Sequence, residues 1–66
     1  MTLGQMIGDA RRDRKLSQVK LAKMCGISLT CLKKIEEDMS SPNWFSIRNI
    51  AFALDLSLDE LAKAGM

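Results

Sequence analysis

Sixty-six residues, 47% of them hydrophobic and 27% charged, suit one small domain spanning residues 1–66, with no room for a separate sensor or catalytic domain. No stretch approaches the roughly 20 apolar residues of a membrane span and no signal-peptide pattern opens the chain, so a soluble cytoplasmic protein without a membrane partner is expected. The net charge of +2 conceals a division: from Arg11 to Lys34 eight basic residues face Asp13 alone, a net +7, whereas from Ile35 onward Arg48 and Lys63 oppose six acids, a net −4, and Asp9 supplies the remaining −1.

In chain order, Thr2-Leu3-Gly4-Gln5 reads as a capping box. It opens a first helix to about Lys15, with Leu3, Ile7 and Ala10 inward. Arg12, Arg14 and Lys15 are exposed on this helix and suit either phosphate contact or plain solvation. Ser17 is a good N-cap for a second helix over 18–25, where Leu21 and Cys25 share one face and Ala22 is small enough for a close helix crossing. Gly26 stops it where a left-handed backbone is least costly. Ile27 buries the turn, and Ser28 caps a third helix over about 29–39 with Leu32, Ile35 and Met39 on one side. Two short helices about a tight turn form a helix-turn-helix, whose second helix is shaped for the DNA major groove. Its position inside the basic half of the chain is the footprint of a phosphate-binding face.

Residues 39–43, Met-Ser-Ser-Pro-Asn, have turn composition, and Asn43 caps a fourth helix from Trp44 to about Leu54 with Trp44, Ile47, Ile50, Ala51 and Leu54 on one face. Phe45 and Phe52 fall nearly opposite, with Arg48 between them, which marks a contact surface on so small a domain. The alternative is that one of them folds under the C-terminal segment. Ser57 to Glu60 is a second capping box; it opens a fifth helix that closes the core with Leu61, and Leu56, Leu58 and Met66 extend the Phe52 patch. Cys25 and Cys31, with no histidine, cannot make a zinc site; Cys25 reads as core and Cys31 as the edge of it. Without a Gly-rich phosphate loop, a metal set or an apposed carboxylate pair, the chain is not expected to be an enzyme or to carry a cofactor.

The ordered series Leu16-Ser17-Gln18, Leu21-Ala22, Gly26-Ile27-Ser28, Ile35-Glu36, Pro42, Ile50-Ala51 and Ala53-Leu54 resembles the phage Cro/repressor-type (XRE-like) helix-turn-helix family from about Leu3 to Leu61. The resemblance implies an all-α, compact five-helix lambda-repressor-like DNA-binding domain. It implies an ion pair between Arg11 and Glu36 tying the first helix to the end of the third. Base contacts then fall to Ser28, Leu29, Thr30, Lys33 and Lys34, and phosphate contacts to Gln18, Lys20, Lys23, Arg12, Ser40, Ser41 and Asn43. Trp44 takes a position where the family has Leu and is expected in the core, its indole N–H near the surface. The family dimerises through the region of helices 4 and 5, which assigns Phe45, Arg48, Phe52, Leu58 and Met66 to a dimer or partner contact. One position departs from the pattern: Asp38 stands where the family usually places Gly.

Lysine can donate to guanine O6 and N7, a threonine hydroxyl serves either partner, and Leu29 can pack on a thymine methyl. With no Gln, Asn or Arg on this face, specificity leans on these contacts and on DNA shape. Glu37 would repel phosphate unless it accepts from a cytosine amine or pairs with a lysine. The expected partner is double-stranded DNA carrying a pseudo-palindromic operator, bound by a homodimer on half-sites about 10 base pairs apart. The dimer forms either beforehand or only on DNA, and no small-molecule effector is expected. Repression by occluding polymerase is the expected outcome, in the nucleoid of a bacterium or a phage-infected host. The competing reading is an antitoxin or anti-repressor module that binds another protein on the same scaffold.

Overall fold

The computed structural model describes residues 2–39 and 43–64, which contain five α-helices and no strand: α1 (Leu3–Asp13), α2 (Gln18–Cys25), α3 (Leu29–Glu36), α4 (Trp44–Leu54) and α5 (Leu58–Ala64). Each of the first four starts at an N-cap whose side chain accepts a backbone N–H three residues on: Thr2 from Gln5, Ser17 from Lys20, Ser28 from Cys31 and Asn43 from Ser46. At α1 the box is reciprocal, since Gln5 Oε1 accepts from the Thr2 N–H at 3.0 Å. The helix α5 begins directly after Ser57, whose carbonyl accepts from the Leu61 N–H at 3.2 Å.

The same four helices also end alike. Lys15, Gly26, Asp38 and Asp55 adopt left-handed backbone, with φ of 57°, 70°, 58° and 55°. The N–H of the following residue then returns to the last turn: Leu16 to the Arg11 carbonyl, Ile27 to Ala22, Met39 to Lys34 and Leu56 to Ala51. This is the Schellman closure, and glycine fills only one of its four left-handed positions. Because of it α1 stops at Asp13 rather than near Lys15, and α3 stops at Glu36 rather than near Met39. Leu16, Ile27 and Leu56 fold back onto the core, but Met39 is 71% exposed. The expectation that Met39 shares a core face with Leu32 and Ile35 is therefore wrong, because the Asp38 turn carries it off the helix axis.

Every helix contributes to one core. Its fully buried large side chains are Ile7 from α1, Leu21 from α2, Leu32 and Ile35 from α3, Ile50 and Leu54 from α4, and Leu61 from α5. Ala22 is buried at the α2 crossing, as its size requires. Trp44 is 59% exposed, which corrects its assignment to the core. It occupies the first position of α4, where helix side chains lean toward the N-terminus and past the end of the helix, while Ile47, Ile50 and Leu54 further along are buried.

Candidate nucleic-acid interface

The geometry of α2 and α3 is fixed by a polar network at their junction with α1. Arg11 donates from Nε to Glu36 Oε2 at 2.8 Å and from Nη2 to Oε1 at 3.1 Å, a two-pronged pairing whose side chains are only 12% and 7% exposed. A third guanidinium N–H reaches the Leu16 carbonyl at 2.9 Å. Gln18 Nε2 donates to Glu36 Oε1 at 3.3 Å, so one carboxylate joins three helices. The ion pair is thus as the family resemblance implied. The Gln18 amide still has a second N–H, so its bond to Glu36 leaves a donor for a phosphate.

On α3, Thr30, Lys33 and Lys34 are exposed, Leu29 is half-buried, and the buried Leu32 and Ile35 anchor the opposite side. The Ser28 oxygen accepts from the Cys31 N–H at 3.0 Å, which leaves its O–H free to donate outward. The α2 residues Lys20 and Lys23 are exposed. Arg12 is exposed on α1 and pairs with Asp9 at 2.6 Å; both side chains are more than half exposed, a pairing weak enough to give way to a phosphate. Asn43 caps α4, while Ser40 and Ser41 lie outside the described residues, as does Met66.

Sequence reasoning missed Asn49, whose amide donates to the Cys25 carbonyl at 3.1 Å and ties α4 to the end of α2. Its signal was an amide next to the buried Ile50, on the side of α4 that packs inward. It also missed Gly4, where a β-carbon would lie 2.5 Å from the Glu36 carbonyl oxygen and 2.6 Å from that of Ile35. Nothing in the sequence pairs those positions.

A second exposed face lies on α4. Phe45 and Phe52 are 59% and 81% exposed, and the Arg48 guanidinium sits 5.3 Å from the centre of the Phe45 ring. Beside them, α4 and α5 border a groove of about 350 Å³ lined by Arg48, Phe52, Asp55, Leu56, Leu58 and Asp59.

A helix-turn-helix family model matches residues 7–61, the whole span from the α1 core residue Ile7 to the α5 core residue Leu61. The chain belongs to this family. An immunity repressor protein of Bacillus phage phi105 is 36% identical over 61 residues, 92% of this chain, and the chain spans 42% of that relative's length. The fold is lambda-repressor-like: the P22 c2 repressor solved with a synthetic operator superposes with a TM-score of 0.87 at 30% identity over 92% of each chain. SinR, solved as a complex with SinI, superposes with a TM-score of 0.86 at 26% identity, covering 91% of this chain and 59% of its own. Membership gives the exposed α3 residues the same place in the fold as the second helix of this motif.

Proposed function

We propose that this chain is a DNA-binding transcriptional repressor that engages a pseudo-palindromic operator as a homodimer, with α3 in the major groove. The observation that carries the reading is the exposed Thr30, Lys33 and Lys34 on the second helix of a helix-turn-helix set in the basic half of the chain. Likeness to a repressor solved with its operator supports it. Ser28, Leu29, Thr30, Lys33 and Lys34 read base edges, and Gln18, Lys20, Lys23, Arg12, Ser40, Ser41 and Asn43 hold phosphates. The role is non-enzymatic, and the protein works in the cytoplasm at the nucleoid.

Dimerisation is assigned to the α4–α5 face. The groove there is lined by both the cationic Arg48 and the acidic Asp55 and Asp59 beside the exposed Phe52, so the face carries the opposite charges and apolar surface that a self-complementary two-fold contact needs. The same exposed aromatics also favour a second reading, a protein partner on this face; SinR, a structural relative, is itself solved as a complex with another protein, SinI.

Selection of genomic fragments by the purified protein at two salt concentrations tests the reading. Enrichment of an inverted repeat with half-sites about one helical turn apart is the expected result. Salt-sensitive binding without an enriched sequence would reduce the basic face to non-specific affinity, and absence of binding would overturn the proposal. Reversing charge at Lys33 and Lys34 separates the two readings: it should abolish DNA binding and spare any protein contact made through Phe45.

A further inference from the structure

The turn that ends α3 carries a negatively charged residue in left-handed backbone, a conformation glycine adopts without strain. At Asp38 the side chain has a task glycine could not perform. Its Oδ1 accepts from the Gly4 N–H at 3.0 Å, and its Oδ2 accepts from the Thr2 hydroxyl at 2.5 Å. That hydroxyl oxygen in turn accepts from the Gln5 N–H at 3.1 Å. Of the unpaired amides in the first turn of α1, that of Gln5 is thereby satisfied by Thr2 three residues away and that of Gly4 by a residue 34 positions away in sequence. The carboxylate also lies against the positive end of the α1 dipole. The close approach of the Ile35 and Glu36 carbonyls to Gly4 shows that the two helix ends meet directly, with no space for a side chain.

We infer that Asp38 is a positioning residue, a clamp that fixes the orientation of α3 against α1 and so sets how the α3 side chains are presented. Its consequence for DNA rests on α3 being the reading helix. The Arg11–Glu36 pair holds the same two helices two residues earlier in the chain and about two turns further along α1, and Asp38 adds the second point that removes rotation about the first. Glycine at this position gives the turn and not the clamp. The departure from the family pattern thus exchanges an unstrained turn for a tie between helices.

Backbone residual dipolar couplings of the free protein and operator affinity, measured on Asp38→Gly and Asp38→Asn, test the clamp. Asp38→Gly should fold, since glycine suits the turn. It should show an altered or averaged α1–α3 orientation, and it should bind the selected operator about tenfold more weakly, the order of one mismatched base pair. Affinity for an unrelated duplex should not change. Asp38→Asn keeps an acceptor for the Gly4 N–H and should restore most of the orientation and the affinity. Unaltered couplings in Asp38→Gly would overturn the clamp, and altered couplings with full operator affinity would overturn its role in presenting α3. If the unsubstituted chain binds neither duplex, the DNA reading fails while the couplings still decide whether the clamp exists.

Discussion

Glu36 receives two N–H groups from Arg11 and one from Gln18 with little access to water, so removing either charge strands the other. Arg11→Ala or Glu36→Gln should cost about 3–5 kcal/mol in urea denaturation, enough to leave a domain of this size barely folded. An exposed pair such as Arg12–Asp9 should contribute under about 1 kcal/mol. Lys15 offers the opposite experiment. It holds φ of 57° with its side chain exposed, so Lys15→Gly should stabilise the fold by about 1 kcal/mol. Burial pushes the Cys25 thiol up from its ordinary value. A raised thiol keeps its proton in the folded state, so its contribution is intact below about pH 8.5, where the unfolded thiol titrates, and fades as pH climbs through the folded value. Denaturant midpoints of Cys25→Ala should therefore fall less steeply than those of the parent above that pH.

At the scale of elements, helix starts were legible because an N-cap is a local event: Thr2, Ser17, Ser28 and Asn43 each bond within three residues. Helix ends at Gly26 and Leu54 were legible too. Those near Lys15 and Asp38 were not, because a left-handed lysine or aspartate leaves no signature comparable with glycine; at the equally left-handed Asp55 it was the capping box from Ser57 that bounded the helix. Trp44 shows a further limit, since helical periodicity gives the direction of a side chain around the axis and not its height along it. The α3 face was legible as chemistry. The Asp38 tie to Thr2 and Gly4 was not, because it joins residues more than thirty positions apart. For α3 as a unit, Lys33→Gln should weaken operator binding and reduce the slope of log affinity against log salt by about 1 if that lysine meets a phosphate. An unchanged slope with relaxed base preference would instead place it on a guanine edge.

At the scale of the molecule, the charge division separates a basic face for the duplex from the acid-bearing α4–α5 groove. Phe52→Glu should leave the helical content intact and shift sedimentation equilibrium toward the monomer, with a loss of operator affinity that higher protein concentration restores. None of the five helices exceeds 11 residues. Helices this short are marginal by themselves in water, and each exists here only through the side chain it sends to the common centre. The amides of α3 should consequently exchange with deuterium at the rate of global opening, with no slower core and no faster lobe. A peptide of α2 and α3 alone should be coil. The reading surface has no stability of its own, and a methyl group removed from Ile50, on the far side of the core, should be felt as operator occupancy lost at high temperature.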